Sequence, residues 1–281
     1  MSEIYGWPAP NYTNPVTRGP GLVVAGAVLG TLGTLLVALR IYTRLRITSS
    51  FGGDDILIVV AAVASLSLMV TNAIASAKYG WSQHVWDIPY DLLSMSLLCN
   101  LISEVSFTIA SATTKMSLLW FCRRLVSTSR MRPFSPQTLV FDASICFILL
   151  CFVTFMIVLF LQCRPLKAYW DPFPVYPYTC ISSSTFLICA SSLNSVTDLL
   201  TTLAPITLVW RVRLPRRQKI AVIGMFSLGF TVCISGAIRV YHIHVTQTAR
   251  NRDTTWAGWP SVILGDVEIG LGLVCFHPCI R

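Results

Sequence analysis

Charge is what this sequence has least of. Only 12% of its 281 residues are Asp, Glu, Lys or Arg, about half the share of a soluble globular chain. Acids are scarcer than bases, 12 against 21. The few histidines (His84, His242, His244, His277) are scattered. No CxxC pair and no HExxH stretch accompanies them, so no metal site is read. A nucleophile elbow and a cofactor loop are also lacking, which argues against an enzyme. The net charge of +9 comes without zinc-finger spacing or an RNA-binding signature, so no nucleic-acid partner is expected. The first 20 residues hold Glu3, Arg18 and several prolines. They lack the basic start and apolar middle of a signal peptide, so the first apolar segment is expected to insert and stay.

Apolar length is what remains. Hydrophobic residues make up 54% of the chain, and its mean hydropathy is +0.67. Seven segments stand out, at about 22–39, 56–76, 92–121, 139–162, 184–210, 220–242 and 260–280. Each is near or above the roughly 20 residues an α-helix needs to span a bilayer. Lipid supplies no hydrogen bonds, so the backbone must satisfy itself, and segments this long do so as helices. A barrel would show alternating strands of about 10 residues instead. The expectation is an all-α, polytopic membrane protein: a seven-transmembrane-helix bundle over 21–281 behind a short extracellular segment, 1–20.

Basic residues set the threading, because Lys and Arg collect on the cytoplasmic side. With the N-terminus outside, thirteen face inward: Arg40, Arg44, Arg46, Arg123, Arg124, Arg130, Arg132, Arg211, Arg213, Arg216, Arg217, Lys219 and Arg281. Six face outward, and Lys115 and Arg239 fall within segments. The C-terminus is then cytoplasmic. The stretch "RIYTRLRITSSFGGDD" becomes a cytoplasmic turn. Arg40, Arg44 and Arg46 are expected at the anionic inner lipid surface, Gly52 and Gly53 in the turn, and Asp54 and Asp55 at the positive end of helix 2. Docking of a partner is the other reading of this knot.

Other features mark the outer side. Asn11-Tyr12-Thr13 is an N-glycosylation acceptor. Trp81, Trp86, Tyr90, Trp170, Tyr176, Tyr178, Trp256 and Trp259 crowd the outer loops, as interfacial anchors or as a lid. Cys163 and Cys180 bracket a loop on the side where disulfides persist; Cys99 is the rival partner for Cys180. Cys146, Cys151, Cys189 and Cys233 read as apolar fillers, and Cys122 and Cys279 as packing or palmitoylation sites near the inner face.

Ionisable residues inside a membrane are costly and need a partner or a task. By depth, Arg239 pairs with Glu268 or Glu104, and Lys115 reaches Asp198. Asp266 and Glu268 lie on nearly opposite faces of one helix. These residues are either pins between helices or the lining of a ligand or ion site. Pro205 is expected to kink helix 5, and Gly26 and Gly30 form a GxxxG packing motif.

The motifs "LRIYTRLRI", "GGDDILI", "TTKMSLLWFCRRL" and "CRPLKAYWD" occur in that order. "SSLNSVTDLLTTLAPITLVWRVRLPRRQK", "FSLGFTVCISGAIRV" and "GDVEIGLGLVC" follow them. Together they resemble the fungal rhodopsin-domain family of seven-helix membrane proteins, across nearly the whole chain. The resemblance implies a receptor akin to G-protein-coupled receptors, with members tied to surface sensing and pathogenicity, at the plasma membrane. It implies an extracellular ligand, a heterotrimeric G protein as partner, and a cytoplasmic tail longer than the few residues after segment 7. It carries over to Arg40, Arg44, Asp54, Asp55, Lys115, Arg124, Cys163, Trp170, Cys180, Asp198, Pro205, Arg239 and Glu268 without giving them chemistry. Two departures matter. Segment 7 has no lysine for a retinal Schiff base, so no cofactor is expected, and neither an Asp-Arg-Tyr nor an Asn-Pro-x-x-Tyr switch is present. A transporter is the alternative function, although segments 1–3 and 5–7 share no motif.

Overall fold

The computed structural model describes residues 7–47, 52–128, 136–204, 216–249 and 253–275. Its helices are α1 (Gly21–Arg46), α2 (Gly53–Lys78), α3 (Tyr90–Thr128), α4 (Pro136–Leu161), α5 (Ser183–Leu203), α6 (Arg216–Thr248) and α7 (Thr254–Cys275). All seven contain a stretch long and apolar enough to cross a membrane. Residues 205–215, with Pro205, Arg211 and Arg213, and Arg130, Arg132, Arg250, Arg252, His277, Cys279 and Arg281 lie outside the described residues.

The distribution of polarity is inverted relative to a water-soluble protein. Leu35, Val63, Leu150 and Ile234 are each at least 60% exposed, while Asp54, Asp55 and Asp266 are fully buried. Large exposed apolar surface with polar groups inside is the arrangement a lipid solvent selects. The helices form a closed ring in which α1 lies against both α2 and α7. α3 is the hub, touching α2, α4, α5 and α7. One apolar core joins Val37, Ile58, Leu118, Leu119, Phe141, Ile148 and Leu273 from five helices.

Small residues permit the closest approaches. Gly26 and Gly30 are buried against Met69 of α2, so the GxxxG motif works within the bundle. Gly33 meets Leu273, and Gly270 meets Leu29, where α1 closes on α7.

Helix limits depart from the hydropathy reading where polar residues are buried. α1 runs seven residues beyond the apolar segment that ends at 39, to Arg46, because Arg40 and Arg44 find partners inside. α7 begins at Thr254 rather than near 260, with Pro260 accommodated inside the helix. α5 is described as far as Leu203.

Between α4 and α5 the chain forms a two-residue antiparallel ladder, β1 (Cys163–Arg164) with β2 (Thr179–Cys180). Cys163 and Cys180 are disulfide-bonded, and Cys99 is free. A 3₁₀ turn at Leu166–Tyr169 follows β1.

Candidate functional site

Two ion pairs and one amide hold the middle of the bundle. Lys115 of α3 lies 3.0 Å from Asp198 of α5. Its ammonium also donates to Asn194 Oδ1 (2.8 Å) and Thr197 Oγ1 (2.8 Å). Arg239 of α6 donates from Nε to Glu268 Oε2 of α7 at 3.0 Å. Its guanidinium stacks 4.5 Å from the centre of the Phe107 ring, where the face of the π-system attracts a cation. Asn194 links the pairs: its Nδ2 donates to Glu268 Oε1 (2.6 Å) and Asp198 Oδ2 (3.1 Å). Four helices thus meet at charges that hydrocarbon would otherwise exclude.

Depth had left Glu104 and Glu268 as alternatives for Arg239; helix rotation selects Glu268. Glu104 Oε1 instead accepts from Asn100 Nδ2 at 2.8 Å. Asn100 also donates to Tyr169 Oη (2.7 Å), whose hydroxyl points to Glu104 Oε1 at 3.4 Å. Tyr169 comes from the disulfide-tied loop, so that loop is fastened directly to α3. Burial and the adjacent Glu104 carboxylate push the Tyr169 phenol well above its usual range, so it stays a donor. Asp266, on the other face of α7 from Glu268, accepts from Asn72 of α2 at 2.9 Å, and Ser103 of α3 donates to Asn72 Oδ1 at 2.7 Å. Asn72, Asn100 and Asn194 escape a search for charges, although each joins two helices or a helix and a loop; polar amides within apolar runs were the available signal.

The knot at the other end differs from its expected form. Arg40 and Arg44 are buried, not set against lipid headgroups. Arg40 bonds Asp54 Oδ2 (3.0 Å) and Asp55 Oδ1 (3.1 Å), and Arg44 lies within 3.8 Å of both carboxylates. The cause is mutual neutralisation: α1 and α2 bring opposite charges to the same depth, and Phe121 of α3 covers both guanidiniums. Asp54 also meets Arg124 of α3 at 3.4 Å. Asp55 caps its own helix, accepting from the Gly52 N–H at 3.1 Å. Gly52 has extended backbone that any residue adopts, so turning freedom is not its role. A Cβ there would stand 2.7 Å from Arg124 Nη1 and from Asp54 Oδ1; the position is small because charged groups fill the space.

At the disulfide end the aromatic residues pack on one another. The His84 ring stacks between Trp86 (4.6 Å) and Trp256 (4.2 Å), and the Arg18 guanidinium covers Trp256 at 4.4 Å. Asp253 accepts from the Val85 N–H (3.1 Å) and meets His84 Nδ1, tying the α2–α3 connection to the start of α7. Asn11 is exposed, and its backbone N–H donates to Asp87 at 2.9 Å. Among the described residues no group of three or more His, Cys, Asp or Glu is placed to hold a metal ion.

Seven apolar helices around a buried charged layer define a multi-pass integral membrane protein. More narrowly, the chain belongs to the fungal rhodopsin-domain family, whose model matches residues 39–280. It is 22% identical over 272 residues to "Receptor GIN3" of Arthrobotrys oligospora, covering 93% of this chain and 62% of that protein. A "SAT4 family membrane protein" of Emericella nidulans is 26% identical over 195 residues, 68% of this chain and 48% of the relative. "Wortmanamides biosynthesis cluster protein C" of Talaromyces wortmannii is 26% identical over 220 residues, 74% of this chain and 56% of that one. The chain therefore spans about half to three-fifths of the length of these relatives.

Proposed function

We propose that this protein is a non-catalytic, receptor-like sensor. A cue arriving at the disulfide-tied end shifts the charged layer among α3, α5, α6 and α7. A cytoplasmic partner, for which a heterotrimeric G protein is the suited class, reads the change at the Arg40 end. In this reading residues 1–20 and Asn11 are extracellular, the C-terminus is cytoplasmic, and the plasma membrane is home. One relative's name, receptor, points the same way.

The observation that carries the reading is the contact of Tyr169 with Asn100 and Glu104. In this reading the contact couples the disulfide-tied loop to the hub helix α3. Three ionisable side chains of this region also keep a buried polar atom without a hydrogen-bond partner among the described residues: Glu104 Oε2, Arg239 Nη2 and Asp266 Oδ2. Atoms of both signs are thus available to a polar ligand, since a buried group of this kind gains most from a new partner. A ligand that contacts them differently in two arrangements shifts the balance between those arrangements.

A retinylidene link does not fit these residues. α7 has no lysine, and the ammonium of Lys115 on α3 is engaged by Asp198, Asn194 and Thr197.

The test is nucleotide exchange on a full panel of co-expressed Gα subunits, with the wild type and Tyr169→Phe. Exchange above the empty-membrane level, altered by Tyr169→Phe, is expected. No exchange on any subunit, together with proteoliposome flux of a small molecule abolished by Asp198→Asn, replaces the receptor by a transporter.

A further inference from the structure

Three arginines end α1, and two of them are consumed by Asp54 and Asp55. Arg46 is different. It is exposed and has no carboxylate within salt-bridge distance among the described residues. It stands at the rim of a groove of about 460 Å³ between α1 and α2, on the bundle's outer surface. The groove follows one stripe of α1 from Thr34 through Ala38 and Tyr42 to Arg46, with Val59 and Ala62 of α2 as the facing wall. Its lining is almost wholly apolar, and the Thr34 hydroxyl is already spent on the Gly30 carbonyl at 2.7 Å. Along this apolar length water does not find the two to four partners it needs.

The dimensions and the charge select the occupant. Twelve residues of helix span about 18 Å, close to the roughly 15 Å depth of one leaflet's hydrocarbon. The volume lies within the roughly 300–1,000 Å³ of small-molecule sites. Among the described residues lining the groove, Arg46 is the one positive group; it closes the polar end, beside the Tyr42 ring, which is 60% exposed. By the count of basic residues this end faces the inner leaflet, where anionic lipids concentrate. We infer that the groove holds one anionic phospholipid, an acyl chain lying along Ala38 and Ala62 and the headgroup against Arg46 and Tyr42.

The site is separate from the charged layer and shares with the receptor reading only the placing of this end at the inner leaflet, so it is tested apart from it. The whole chain, purified in a neutral detergent, is given equal amounts of dioleoyl phosphatidylserine and dioleoyl phosphatidylcholine, and bound lipid is counted by native mass spectrometry. One phosphatidylserine is expected, retained about fivefold over phosphatidylcholine, the equivalent of about 1 kcal/mol for one basic residue at an anionic surface. Arg46→Gln reduces that ratio to about one. Ala38→Phe fills the groove and removes both lipids while leaving Arg46 in place. Val59→Trp fills it from the facing, partly exposed wall and keeps the test open if Ala38→Phe does not fold. Undiminished preference in Arg46→Gln overturns the proposal. So does undiminished phosphatidylserine binding in a folded groove-filling variant, or displacement of that lipid by an equimolar sterol.

Discussion

Lys115→Met is the sharpest perturbation of the bundle. The methionine keeps most of the lysine's length and loses the ammonium. Four contacts disappear with it: Asp198 Oδ1, Asn194 Oδ1, the Asn194 carbonyl and Thr197 Oγ1, at 2.8 to 3.2 Å. Asp198 is then a carboxylate, 5% exposed, with Asn194 Nδ2 as its remaining donor among these groups. Removing one member of a buried pair costs about 3–5 kcal/mol, most of it the uncompensated charge. Asp198→Asn is milder, about 1.5–3 kcal/mol, because the ammonium keeps Asn194 and Thr197 and loses one charged bond. The double variant Lys115→Met/Asp198→Asn removes both charges, and it is expected to be more stable than Lys115→Met alone by about 2 kcal/mol. The assay is equilibrium unfolding in mixed micelles by added sodium dodecyl sulfate, followed by tryptophan fluorescence. A double variant as unstable as the sum of the single changes refutes the pairing, since independent sites add.

Three further outcomes are expected. Gly80 has φ +77° and a Cβ there would lie 2.8 Å from Ile88, whereas Gly19, at φ +72°, faces open space; both alanine variants lose about 1–2 kcal/mol of backbone energy, and Gly80→Ala loses about 1–3 kcal/mol more from crowding in the same unfolding assay. Cys163→Ser opens a loop of sequence separation 17 and costs about 3 kcal/mol on the chain-entropy account; reduced wild type unfolds at the same detergent fraction as the variant. The Tyr169 phenol is held protonated by burial and Glu104, so the unfolded chain ionises first. Its contribution is therefore complete below about pH 10 and declines above it. Alkaline difference absorbance between wild type and Tyr169→Phe is expected to show no phenolate from this residue while exposed tyrosines ionise.

The seven helices were legible because lipid allows so little else: length and apolar content alone identify them. Partnership inside the bundle was legible only to the depth of each residue. Depth made Lys115 and Asp198 neighbours in height. It gave Arg239 two equal candidates, because hydropathy is silent on helix rotation when both faces of a segment are apolar. The same silence put Arg40 and Arg44 at the lipid surface, although rotation turns them inward onto Asp54 and Asp55. Tyr169 does not stand out among the loop aromatics, because nothing local marks a loop residue that reaches into a helix bundle. Gly52 looked like a turn residue, while its constraint is set by Arg124, seventy-two positions away.

Asn194 gives the interior a polarity. Its oxygen end serves the donors Lys115 and Ser111, and its nitrogen end serves the acceptors Glu268 and Asp198. An amide of this kind is a connector keyed to fit one way round. Transposing lysine and aspartate between α3 and α5 would reverse one socket and leave the Glu268 socket as it was, so no rotation of the amide suits both. The wiring of the bundle is therefore not interchangeable with its mirror arrangement, even though the total charge would be the same.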